Sequence, residues 1–318
     1  MKKIFLALIL FFSLLSANES ITKSILTNVL QKQIASAITA VNRLQKTKKS
    51  QDFYALVRAW KKVQATYVAG DIDETSIDIP RLIDMYHNTN DDLNSQMKLI
   101  MLSKDGLKIS LFKNSYKSIN ALEYLLFTKD KISKARKNQA LDIILKNIKS
   151  KLERIKKIYT LKNSKVFLDN EVGAYSMLVN QLIPSVFKLK DWRIGEPSGL
   201  AQKYLGKPNA KRAEYPLAKA SFMAIDAVID ANLALVAKQK YKNLYQYAIK
   251  KGYKKEINQI VKQLKIASQI SKNIDTENFR TKKVEKLFKA LSNLQQEYQG
   301  LFVLSLNIPL RIIEADGD

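Results

Sequence analysis

Lys117-Ser118-Ile119-Asn120-Ala121-Leu122-Glu123-Tyr124-Leu125-Leu126-Phe127 sets a carboxylate in a largely apolar run. Leu122, Leu125 and Leu126 recur at the i, i+3, i+4 spacing of one helix face, so the run predicts a helix with Glu123 beside its buried stripe. Burying an ionised carboxylate is costly unless it is paired or bound to a cation. Glu123 is therefore expected to face solvent, to pair with a lysine, or to serve a metal ion.

The same periodicity extends in both directions. Ile21, Ile25, Val29, Ile34, Ile38 and Val41 mark one helix, and Phe53, Leu56, Val57, Trp60 and Val63 a second, with Ser50 as its expected N-cap. Residues 70–79 form a polar connection closed by Pro80, a residue suited to a first helical turn. Another helix starts near Asp91. Ile143, Ile144, Ile148, Leu152, Ile155 and Ile158 trace a long amphipathic one. The pattern breaks at Lys162-Asn163-Ser164, where the domain boundary is placed. Beyond it, Val172, Leu178, Leu182 and Val186 share a helix, 193–199 reads as a loop, and further helices are expected over 214–238, 241–253, 254–273 and 278–299. Phe302 to Ile308, apolar and followed by Pro309, reads as a short C-terminal edge strand. The expected fold is all-α, with one helical bundle over 18–162 and another over 163–318.

Met1 to Ala17 reads as a secretory signal peptide: Lys2 and Lys3, an apolar run from Ile4 to Leu15, then Ser16-Ala17. That run is shorter than the roughly 20 apolar residues of a membrane-spanning helix. The chain has no cysteine, which excludes disulfides and a lipid-modified cysteine. The expected location is the periplasm or cell envelope. A net charge of +25 suits nucleic acid, an anionic membrane surface or an acidic protein. Because it is spread along every helix and is mostly lysine, nucleic acid is not expected, and a basic adaptor docking on an anionic surface is one open reading.

The Glu123 run resembles the helix carrying the Gly-x-His-x-x-Glu signature of the imelysin family, with Ser118 at the Gly position, Asn120 at the His position and Glu123 retained. The Trp60 helix, the Ile77-Asp78-Ile79-Pro80-Arg81 entry, the Ile194-Gly195-Glu196-Pro197-Ser198-Gly199 segment and the terminal Asp316-Gly317-Asp318 are similar to family segments in the same order. The resemblance implies two helical bundles with a funnel between them. It implies site residues among Arg81, Asp84, His87, Glu123, Glu214 and Asp226, with Arg81, Glu214 and Asp226 lining the interdomain cleft. It also implies iron-uptake proteins of the envelope as partners.

His87 is the single histidine, three residues after Asp84, and on a helix the two would share a face. Together with Glu123 they form an expected metal set whose oxygen-rich character suits iron better than zinc. The family is classed with metallopeptidases. Zinc hydrolysis, however, wants three protein ligands and a base, and this chain has neither His-Glu-x-x-His nor a second histidine. Non-catalytic binding of iron or an iron-linked ligand is the expectation, and a divergent metallopeptidase the alternative.

Overall fold

The computed structural model describes residues 19–87, 92–274 and 277–310. The expected signal peptide and the Asp316-Gly317-Asp318 tail lie outside them. Nine helices of nine or more residues carry the described fold: α1 (Gln31–Thr47), α2 (Ser50–Ala65), α3 (Leu93–Leu102), α4 (Ile119–Phe127), α5 (Lys134–Ile158), α6 (Glu171–Lys188), α7 (Ser221–Val236), α8 (Lys254–Lys272) and α9 (Lys282–Tyr298).

Helices α1, α2, α4 and α5 pack together, and α3 lies on α4. Helices α6, α7, α8 and α9 form the second group, and α2 packs lengthwise on α7 to join them. One continuous core runs through both groups, from Ile25 to Ile308. Helix α1 buries Ile34, Ala37, Ile38, Val41 and Leu44, a stripe with the 3.6-residue period. It stops where Lys48 turns left-handed, φ 54°, and gives its N–H to Leu44. Helix α2, packed between α1 and α7, buries Phe53, Leu56, Val57, Trp60 and Val63.

Four sequence expectations need correction. Ser50 is the first residue of α2, whose cap position is held by Lys49. Among the described residues there is no strand: Gln299–Ser305 continues α9 as a π-helix. Its Leu301 and Phe302 are buried side by side, and Phe302 meets the Tyr298 ring edge-on at 5.6 Å, which a helical turn permits and an alternating strand does not. The segment read as a loop over 193–199 is π-helical through Leu189–Gly195 and then a single turn, Glu196–Ser198. Its glycines have packing reasons. A Cβ on Gly195 would stand 2.8 Å from that of Ala201, and Gly199 has φ 76° with the Pro208 nitrogen 2.7 Å from its Cβ position. Finally, α7 begins at Ser221, so Glu214 lies ahead of the helix in an irregular segment.

Candidate functional site

The centre of the molecule holds a buried ion network. Lys61, on α2, is completely buried, and its ammonium contacts Asp84, Glu214 and the Gln64 side-chain oxygen, the last at 2.7 Å. Arg193 forks onto Glu214, Nε to Oε2 at 2.7 Å and a terminal nitrogen to Oε1 at 3.0 Å. Asp84 Oδ2 also accepts from Trp60 Nε1 (3.2 Å) and the Tyr215 hydroxyl (3.1 Å), while Oδ1 accepts from the Tyr86 amide (3.1 Å). Two cations thus balance two carboxylates, and the acceptors are well used. Burial pushes the Asp84 carboxyl up, but the Lys61 charge and hydrogen bond, the Tyr86 amide and Arg193 outweigh it, so its pKa lies below the ordinary value. For Arg193, burial opposes the charged form and Glu214 more than restores it, leaving the pKa raised.

Asp84 reaches this centre because the short Pro80-led helix Ile79–Ile83 ends one residue before it. Asp84 itself is extended, φ −134° and ψ 115°. The expected helical Asp84–His87 face is therefore absent. His87 sits at φ 63° and turns elsewhere, its Nε2 3.0 Å from Glu196 and its ring stacked on Trp192, centroids 4.3 Å apart and 5° from parallel. The Tyr86 hydroxyl donates toward the carbonyls of Trp192 (2.8 Å) and Arg212 (3.1 Å).

Glu123 is buried, 4% exposed, and neither faces solvent nor pairs with a lysine. Its Oε1 accepts the amides of Leu217 (2.9 Å) and Ala218 (2.8 Å). Burial pushes its pKa up to about 8, those two amides pull the other way, and Glu277 and Glu214 add to the rise. Glu277 in turn accepts from the Ser221 amide at 3.0 Å and is also raised, first by burial. The other motif positions are structural as well. Ser118 caps α4 through the Ala121 amide and donates to Ser115, and Asn120 Oδ1 accepts the Met85 amide at 2.8 Å.

The structure thus brings Asp84 and Glu214 together through Lys61, and leaves His87, Glu123 and Asp226 in separate surroundings. Asp226 accepts from Ser268 (3.0 Å) and pairs with Arg58 (3.3 Å) and Lys272 (3.6 Å), beside a basin of about 790 Å³ that Glu277 and Phe222 also line. Among the described residues no group of three or more His, Asp or Glu side chains is placed to hold a metal ion. The donor set of Glu123, His87 and Asp84 does not fit a resident metal: Lys61 already supplies the cation at Asp84, and Glu123 is turned toward backbone amides.

Beside the network, a cleft of about 410 Å³ opens between the two halves. Gln64, Arg81 and Tyr86 line it from one half, and Lys188, Trp192 and Arg193 from the other. The Lys188 ammonium lies 5.1 Å from the Trp192 ring centre, and the Arg193 guanidinium 5.7 Å from that of Tyr86. Arg81 lines this cleft, whereas Glu214 is sealed beneath it and Asp226 lines the other basin. Sequence reading missed Lys61 and Arg193. For Lys61 a signal existed: it follows Val57 by four residues, on the apolar face of α2.

A family model described as imelysin, Peptidase_M75, matches residues 23–298. No curated protein matches the chain. Among solved structures, an imelysin-like protein from Psychrobacter arcticum 273-4 superposes with a TM-score of 0.74 at 15% identity, covering 92% of this chain and 96% of that one. At that identity the likeness speaks for the fold.

Proposed function

The chain belongs to the imelysin family, and from that premise we propose that it is a non-catalytic envelope protein binding an anionic, iron-linked ligand in the cleft between its bundles. The observation carrying the reading is the cleft itself: Arg81 and Lys188 line it with the Tyr86 and Trp192 rings, Asp71 is the one acid among its described lining residues, and the Arg193 charge there is balanced by Glu214. Cationic and aromatic groups in a concave site favour a ligand that is negatively charged and partly flat. Iron is then cargo carried by an anionic chelate, since Asp84, Glu214 and Glu123 are committed to Lys61, Arg193 and backbone amides. Envelope location and a role beside iron-uptake proteins belong to the same reading, with the leader-like residues 1–17 as the support for the first.

Calorimetry with ferric citrate, iron-free citrate and ferrous iron tests it. Ferric citrate is expected to bind, and Arg81→Glu and Lys188→Glu to weaken that binding about tenfold each, the scale of one lost charge-assisted contact. Binding of free ferrous iron alone would replace the reading with a protein-held metal. Failure of all three to bind would reject it.

A further inference from the structure

One surface outside the lining of the cleft has a different character. Helix α3 and the short helix Leu107–Ser110 form a helical hairpin over the first bundle, joined by residues 103–106. Its inner side is buried through Met97, Met101, Leu107 and Leu111. Its outer side leaves four large apolar side chains in solvent: Leu99 (71% exposed), Leu102 (56%), Ile109 (79%) and Phe112 (68%). The turn between them is braced from below, where Arg136 donates to the Ile100 carbonyl (2.7 Å) and the Asp105 carbonyl (3.0 Å). The apolar residues are thus presented on a fixed support.

Lys104 and Lys108, both exposed, are interspersed with them beside Asp105, while Lys98 is paired with Asp130 at 3.1 Å. A second stretch with exposed apolar residues, Leu161, Val166 and Val172, sets two acids, Asp169 and Glu171, against Lys162 and Lys165 and has no such excess of lysine. Apolar side chains alternating with lysines match an anionic bilayer surface, where the former enter the acyl boundary and the latter meet headgroup phosphates. An acidic protein would satisfy the lysines but would have to supply its own apolar pocket. Among the described residues no helix is long and apolar enough to cross a membrane, so contact made here is interfacial.

We infer that the hairpin bearing Leu99, Leu102, Ile109 and Phe112 is a docking surface for the headgroup region of an anionic phospholipid bilayer. The inference is independent of what the cleft binds.

The test is co-sedimentation of the purified protein with vesicles of phosphatidylglycerol and phosphatidylethanolamine, and with vesicles of phosphatidylcholine alone. Wild type is expected on the anionic vesicles and to weaken as salt is raised. Ile109→Glu with Phe112→Glu should cut the bound fraction at least tenfold, and Lys104→Glu with Lys108→Glu several-fold. Leu161→Glu with Val166→Glu should leave it unchanged. All these side chains are exposed, and unaltered circular dichroism checks that each variant is folded. Absence of wild-type binding, or binding that the Ile109/Phe112 pair does not change, overturns the inference. So does a wild-type dimer in sedimentation that this pair dissolves without any lipid binding, because a second copy would then be what covers the hairpin.

Discussion

Two buried acidic centres lie in this molecule and solve the same problem in opposite ways. At Asp84 and Glu214 the negative charge is kept and matched by Lys61 and Arg193. At Glu123 it meets backbone amides only and burial pushes the carboxyl's pKa up to about 8, while half-buried Glu277 nearby accepts from the Ser221 amide and side chain. A carboxylate held against an internal cation is indifferent to pH across the physiological range, whereas one held by amides in a dry place is governed by its proton. The family signature singles out Glu123, yet the denser chemistry is at a lysine that no motif marks.

The charged centre is most vulnerable at Lys61. Lys61→Met leaves Asp84 and Glu214 facing Arg193 alone in a dry core, and should cost about 3–5 kcal/mol in urea denaturation. Adding Asp84→Asn to that variant should return part of the loss by restoring charge balance. A loss under about 1 kcal/mol would mean that water reaches the network.

A smaller effect separates the second centre. Glu123 has its folded pKa raised to about 8 from an ordinary 4.5, so between those values the folded state holds more protons than the unfolded one. Stability from this group is therefore complete below about pH 4.5 and is lost as pH rises toward 8, by at most about 1.4 kcal/mol per pH unit. In Glu123→Gln that slope should flatten, with little change at pH 5. An unchanged slope would place the titration elsewhere, with Glu277 the first group to examine.

Smaller again is the cap of α4. Ser118→Ala should cost about 1 kcal/mol, because the Ala121 amide loses its acceptor, and the variant's melting temperature reports it. At the bottom of the scale, Lys156→Ala, which breaks an exposed pair with Glu153 at 4.0 Å, should shift stability by less than about 0.5 kcal/mol. That surface pair gives the baseline for judging the buried network.

The helices were readable because their apolar positions repeat strongly, as in Phe53, Leu56, Val57, Trp60 and Val63. The all-α architecture follows from that repetition. The apolar run after Phe302 misled because a short buried run has no period of its own, and only its attachment to α9 makes it π-helical. Asp84 and His87 looked like helix neighbours because nothing local announces that the helix Ile79–Ile83 ends after a single turn. Of the expected site, Arg81 lies in the cleft and Asp84 joins Glu214, but their link is one lysine in a chain with 54 basic residues. Composition hides such a residue. Only its register on α2 betrays it.

Lys61 and Asp84 come from one half of the chain, Glu214 and Arg193 from the other, and the Tyr86 hydroxyl reaches across to the Trp192 carbonyl. Swinging the halves apart would mean separating unlike charges without water to receive them. The network thus acts as a rivet, and the cleft beside it is a fixed mould with a standing entrance. A cargo would meet a shape already made, so its capture should be limited by arrival rather than by closure. X-ray scattering of the loaded and empty protein should then superpose.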